Sequence, residues 1–244
     1  MSIARQPILD AKRAVFGYEL FDRTTGNAGY NAASDAALLF NLLSNADSEM
    51  RNTKKAIFIN CTHETLAGGH LELIEPDRVV LEVPAMNAGQ SDAEDIDTFF
   101  QTLTEVHKRG FRLAFDENVL TPAYAGWVSL ASFIKLDLTV VPLEKVKLIA
   151  QRLVGRSQIQ LVAEKIETAE QFEQVSRAGV TLFQGYWFAK PVLIRGQTLR
   201  PAQAAIIQLI NLVRKQASTT EIEEVFKHDP TLSFNLLRFI NSAG

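Results

Sequence analysis

The sequence is poor in several things whose absence narrows its reading. Its single cysteine, Cys61, cannot form an internal disulfide, which fits a reducing compartment and excludes a cross-linked secreted scaffold. No apolar run approaches the length of a membrane span, because a charged side chain recurs every few residues. The opening stretch MSIARQPILDAKR has early basic residues but no apolar segment of the kind an export signal carries, so the expected location is the cytoplasm. Nor is there a marked charge of one sign. Lys and Arg number 25 against 28 Asp and Glu, a net of −3, and nothing suggests a nucleic-acid surface. Repeats and low-complexity tracts are lacking too. What remains is an ordinary globular composition, 47% hydrophobic and 22% charged over 244 residues, enough for one barrel-sized core or two smaller ones.

Short β-branched or aromatic runs alternate with amphipathic stretches along most of the chain. The strand-like runs are Val15–Phe21, Ile57–Cys61, Val79–Val83, Arg112–Glu117, Phe133–Leu138, Ile159–Ile166 and Leu182–Phe188. Helix-like segments between them include Asp35–Ser44, Ala93–Arg109, Leu143–Leu153 and Ala169–Arg177. Asp92 and Thr168 stand where N-caps belong, and Gly110, Gly155 and Gly179 where C-terminal caps belong. This βαβα rhythm predicts a mostly parallel sheet. The number and spacing of strands favour closure as a TIM-type (β/α) barrel, with an open doubly wound sheet as the alternative that periodicity leaves open.

Near Pro191 the rhythm changes. Three helical patterns follow, Pro201–Gln216, Thr220–His228 with Ser218 or Thr219 as its cap, and Thr231–Asn241. Their apolar faces have too few partners here for a good core of their own. The expected division is therefore a barrel over residues 1–195 and the start of an all-α domain over residues 196–244.

Nearly every strand candidate ends in a polar or charged residue. Glu19, Asn60, Glu82, Asp116 with Glu117, Lys135 with Asp137, Glu164 with Glu167, and Gln184 follow one another in this way. A parallel barrel brings all C-terminal strand ends to one face, where barrel enzymes build their sites. About six carboxylates brought together there raise each other's pKa values and ask for a cation. Oxygen-rich clusters suit Mg²⁺ or Mn²⁺, and a two-metal site can activate water for phosphodiester cleavage.

These residues carry a resemblance to the EAL family of cyclic-diguanylate phosphodiesterases. Glu19-Leu20-Phe21-Asp22-Arg23 resembles the family's E-A-L-x-R signature with Ala and Leu replaced, and IFINCT the strand with its metal-ligand Asn, here Asn60. VVLEVPA resembles the E-x-x-E strand, with Glu82 kept and Ala85 in place of the second Glu. LAFDENVL resembles the D-D-F-G stretch, with Asp116 kept and Glu117-Asn118-Val119 following. IKLD matches I-K-x-D through Lys135 and Asp137, AEKIE resembles A-E-G-V-E with Lys165 in the Gly place, and FQGYWFAKP matches the closing Q-G-Y-x-F-x-x-P pattern. After Arg195, the stretch ending DPTLSFNLLRFINSAG resembles the opening of an HDOD domain, so the whole is similar to EAL–HDOD signalling proteins with the HDOD part incomplete.

The resemblance implies metal binding by Glu19, Asn60, Glu82, Asp116 and Glu164, and a second-metal contact for Glu117. It implies a place for Lys135 beside the attacking water, and ligand contacts for Arg23, Asp137, Glu167 and Gln184. The cofactor would be Mg²⁺ or Mn²⁺ if the site is competent; the ligand would be cyclic-di-GMP, and protein partners would come through the HDOD module, with self-association left open. The departures at Ala85, Glu117, Asn118-Val119 and Lys165 point to a degenerate site with little or no hydrolysis. One extra methylene at Glu117 displaces a carboxylate that two-metal geometry needs closely placed. An active phosphodiesterase and a non-hydrolysing cyclic-di-GMP receptor are the alternatives.

Other candidates read as structural. His228-Asp229 lacks the further ligands of a metal-dependent phosphohydrolase. Cys61 reads as a core thiol and His63 and His70 as solvated loop residues; Trp127 and Trp187 read as core or interface rather than base-stacking platforms.

Overall fold

The computed structural model describes residues 2–22, 55–67, 71, 74, 76–85, 93–153, 158–195, 209, 212, 213 and 216–228. The expected helix Asp35–Ser44, the Thr231–Asn241 helix, Arg23, Asp92, Gly155 and His70 lie outside them, as does most of Pro201–Gln216.

The strands are β1 Ser2–Asp10, β2 Val15–Asp22, β3 Ala56–Asn60, β4 Val79–Val83, β5 Arg112–Asp116, β6 Ala131–Asp137, β7 Gln160–Glu164, β8 Leu182–Phe183 and β9 Val192–Arg195. From β2 to β8 each strand pairs in parallel with the next. β1 pairs antiparallel with both β2 and β8, which closes an eight-stranded barrel. β9 adds antiparallel to the other end of β1. The TIM-type barrel expected from the sequence is therefore present, with one antiparallel stave.

That stave had no strand-like signature, and Pro7 is the reason. A proline cannot donate to a ladder and usually marks an edge or a break. Here β9 faces Ser2–Arg5 and β8 faces only Leu9 and Asp10, so Pro7 falls in the gap where neither strand pairs with β1.

The helices are α1 His63–Ala67, α2 Ala93–Lys108, α3 Leu143–Leu153, α4 Ala169–Arg177 and α5 Thr219–His228. Thr168 caps α4 through a full capping box with Gln171. Gly110 and Gly179, which follow α2 and α4, take the left-handed angles φ 96° and 101° that suit glycine. Ser218 caps α5: its hydroxyl accepts from the Glu221 amide, and the Glu221 carboxylate accepts from the Ser218 amide and hydroxyl.

Strand periodicity sorts the core into two bodies. Outward residues such as Ile59, Leu81, Phe115 and Leu136 pack under the helices with Leu103, Val106, Val146 and Phe172. Inward residues Ile8, Phe58, Val80, Ala114, Phe133, Val162 and Leu182 plug the barrel floor. Each such fully buried Val, Leu, Ile or Phe side chain contributes roughly 1.5–3 kcal/mol. Trp127 belongs to the outer body, edge-on to Tyr124 at 4.9 Å, and Trp187 stacks on Phe172 at 5.4 Å.

Candidate functional site

A residue two places further along a strand points to the same face. Phe58 is thus followed by Asn60, Val80 by Glu82, Ala114 by Asp116, Phe133 by Lys135, Val162 by Glu164 and Leu182 by Gln184. The antiparallel β1 reverses the order, so Gln6 stands above Ile8. An apolar floor with a polar tier above it follows from the period of two.

The tier lines a cavity of about 460 Å³ at the C-terminal ends of the parallel strands. Glu19, Asn60, Glu82, Asp116, Lys135, Asp137, Glu164, Glu167 and Gln184 all reach its wall, as the strand-end reading expected. Glu117 is not among the described lining residues. It opens the 3-10 turn Glu117–Leu120 just beyond β5. Arg23 lies outside the described residues.

Lys135 is the hub. Its Nζ is 2.6 Å from Glu82 Oε2, 2.6 Å from Glu164 Oε1 and 3.0 Å from Glu19 Oε2. Glu19, Glu82, Lys135 and Gln184 are 4%, 5%, 6% and 3% exposed, so these charges meet almost out of water. Glu19 is held further by Asn60 Nδ2 at 3.1 Å and Gln184 Nε2 at 2.8 Å. Gln184 Nε2 also donates to Gln6 Oε1, and Gln6 Nε2 donates to the Ala189 carbonyl. Gln6 is a site residue that strand-end reasoning missed, because its strand runs the other way.

Burial pushes the Glu82 carboxyl well above the ordinary carboxylate range, and the charges of Glu19 and Glu164 push the same way against Lys135. Glu164 is raised too, by burial first and against the pull of Lys135. Burial works against the Lys135 ammonium, yet the fields of Glu164, Glu19 and Glu82 outweigh it and hold that group well above an ordinary lysine.

A divalent cation can supply the same neutralisation. Among the described residues no three acidic or histidine side chains are already spaced as a metal-binding group, because their oxygens converge on an ammonium. The donor chemistry nevertheless fits Mg²⁺ or Mn²⁺: hard oxygens, and a buried Glu82 Oε1 with no hydrogen-bond partner. Gln184 Oε1 is likewise buried and unpartnered.

The stretches that depart from the family pattern have local structures of their own. Asp116 Oδ1 accepts from the Asn118 amide at 2.9 Å and Oδ2 from the Ala85 amide at 3.4 Å, so both oxygens brace neighbouring backbone. Val119 is fully buried in the turn after β5. Its backbone angles are not those reserved for glycine, and Val119 anchors the turn. Lys165, by contrast, takes φ 56°. Its Nζ is 2.6 Å from Asp137 Oδ2.

Gly185 is needed for close approach. A Cβ there would lie 2.1 Å from the Ile166 carbonyl oxygen, so the chain turns at once after Leu182–Phe183 rather than continuing as strand to Phe188. His63, expected as a solvated loop residue, begins α1, packs against Phe99 with ring centroids 3.8 Å apart and planes tilted by 35°, and is within 3.3 Å of the Pro84 carbonyl. Cys61 is buried as expected.

With this barrel and its polar tier in view, the comparisons with known proteins place the chain. The EAL domain family model matches residues 2–191, and the chain belongs to that family. It is 30% identical over 248 residues to the Cyclic di-GMP phosphodiesterase CdgJ of Vibrio cholerae, an alignment covering 98% of this chain and 56% of that protein. It is 28% identical over 251 residues to the Uncharacterized protein YuxH of Bacillus subtilis, covering 99% of this chain and 60% of that one. The chain thus spans little more than half the length of these curated relatives. Among solved structures, the Bacillus subtilis YkuI protein, with an EAL domain in complex with substrate c-di-GMP and calcium, superposes with a TM-score of 0.60 at 19% identity. That match covers 98% of this chain and 67% of that one and shows a shared fold. No helix among the described residues is long and apolar enough to cross a membrane.

Proposed function

We propose that this chain is a cyclic-di-GMP signal-transduction protein whose EAL barrel hydrolyses the dinucleotide slowly or not at all. Residues 1–195 form the sensing barrel, and residues 196–244 begin an HDOD-like helical module through which it acts on protein partners. The observation that carries this reading is Lys165, an ammonium paired to Asp137 inside a cavity whose other charges are mostly carboxylates.

Three further features support it. Glu117 is not among the described lining residues, Ala85 brings no carboxylate, and both Asp116 oxygens brace backbone amides. In this reading Lys135 gathers and orients Glu19, Glu82 and Glu164, Gln184 and Asn60 fix Glu19, and Arg23, Asp137 and Glu167 contact the dinucleotide. Mg²⁺ or Mn²⁺, if bound, would be held by Glu19, Asn60, Glu82, Asp116 and Glu164 and would supply charge neutralisation at the phosphodiester. The capped helix α5, beyond the family match, supports a separate helical segment.

A second reading has its own support. The unpartnered Glu82 Oε1 and the intact set of Glu19, Asn60, Glu82, Lys135 and Glu164 fit a working Mg²⁺- or Mn²⁺-dependent phosphodiesterase, the activity named for the Vibrio relative. Binding of fluorescent cyclic-di-GMP, measured with and without Mg²⁺, tests the ligand class. Saturable binding at micromolar concentrations or below supports the proposal, and no binding in either buffer refutes it.

A further inference from the structure

The cavity wall carries two lysines, and they stand in different surroundings. Lys135 sits low in the polar tier with three carboxylates close about it. Lys165 sits higher, with its side chain 59% exposed, and among the described residues its Nζ forms an ion pair with Asp137 alone. Asp137 is two residues along β6 from Lys135 and therefore stands one tier above it on the same face. Hydrogen bonds from Lys165 and Thr139 hold the Asp137 carboxyl below its ordinary range although burial works the other way. The fields of Asp137, Glu164 and Glu117 all reach Lys165. A positive charge is thus built into the upper carboxylate tier, at a residue whose left-handed backbone would suit glycine better.

We propose that the Lys165 ammonium is a resident counter-ion that takes the place of a divalent cation among the upper carboxylates and offers an anionic phosphodiester a metal-independent contact. The proposal rests on the reading of the cavity as a dinucleotide site and adds which group meets the phosphate. It also sets where a divalent cation can bind. Asp137 is already paired with Lys165, so such a cation is confined to the lower part of the polar tier, where Glu82 Oε1 and Gln184 Oε1 are buried and unpartnered. An ammonium is a point charge with movable donors, well suited to a phosphate oxygen but unable to polarise water as a divalent ion does.

The test uses the full chain and two probes. Free Mn²⁺ is followed by electron paramagnetic resonance, and fluorescent cyclic-di-GMP binding is followed in EDTA. Lys165→Gly keeps the backbone conformation and removes the charge, while Lys165→Gln keeps most of the side chain. The unaltered protein is expected to bind no more than one Mn²⁺, and Lys165→Gly to gain another. In EDTA, Lys165→Gln should bind the dinucleotide about tenfold or more weakly, the range for losing one charge-assisted hydrogen bond. Equal Mn²⁺ stoichiometry in the unaltered protein and Lys165→Gly overturns the assignment, as does unchanged dinucleotide binding by Lys165→Gln in EDTA. If Mn²⁺ behaves as expected while the unaltered protein binds no dinucleotide in any buffer, the counter-ion role stands and the cyclic-di-GMP reading falls.

Discussion

Lys135 Nζ and Glu82 Oε2 lie 2.6 Å apart with both side chains nearly sealed from water, while the other oxygen of Glu82 has no partner at all. A buried pair of this kind contributes little net stability, but removing one member leaves an uncompensated charge. Lys135→Met strands three carboxylates at once. It is expected to cost about 3–5 kcal/mol in urea unfolding at neutral pH. The loss should shrink in mildly acid solution, where the raised Glu82 and Glu164 carboxyls take up protons, and in millimolar Mn²⁺. A cost under about 1 kcal/mol would show that the carboxylates are solvated and that the sealed tier is misread.

Gly185 tests the coupling between backbone and site. Alanine there must displace either Gly185 or the Ile166 carbonyl, since the added carbon would sit 2.1 Å from that oxygen. Because Gln184 precedes it and holds Glu19, the shift is passed directly to the polar tier. Gly185→Ala is expected to lose about 1–3 kcal/mol, the usual cost of overpacking, and to weaken dinucleotide binding together with stability. Thermal unfolding and the fluorescent-ligand titration check both.

His63 gives a pH signature. Burial against Phe99 lowers its pKa in the folded state, with the Pro84 carbonyl opposing. Unfolded chains then bind more protons at this residue below an ordinary histidine value of about 6.5, so stability is present above that pH and falls as pH drops through the lowered value. His63→Phe should flatten this part of the stability profile between pH 7 and about 5. Identical slopes for the two proteins would remove His63 as the source.

Much of this fold could be read from the chain, and the failures have identifiable causes. Val79–Val83, Leu143–Leu153 and Ala169–Arg177 match the observed elements: the first is a short β-branched run, the second an amphipathic one, and the third carries its Thr168 capping box as well. β1 was hidden by Pro7, which is tolerated only because β8 and β9 leave a gap opposite it. The expected strand Leu182–Phe188 stops at Phe183, since Gly185 must turn against Ile166. Among site residues, the strand-end rule found the parallel set but not Gln6, whose direction is reversed. The grip of Lys135 on three carboxylates depends on barrel closure, joining residues 116, 53 and 29 positions apart, and no local pattern reports it.

The turn after β5 bears on any attempt to restore activity. Changing Ala85→Glu, Glu117→Asp, Asn118→Phe and Val119→Gly together would rebuild the family pattern, but Val119 is fully buried and its loss removes the anchor of the turn. The combined variant is expected to be less stable by about 1–3 kcal/mol and yet to hydrolyse cyclic-di-GMP faster than the unaltered chain. A stable variant with no gain would place the defect elsewhere, with Lys165 next.

The most direct measurement is the turnover of cyclic-di-GMP by the unaltered protein with saturating Mn²⁺ or Mg²⁺, followed as release of the linear dinucleotide beside an EAL enzyme whose motifs are intact. The account predicts binding with a rate at least about a hundredfold lower, since misplacing one catalytic group commonly costs that much. Turnover equal to that of the intact enzyme would contradict it, and the chain would be a working phosphodiesterase.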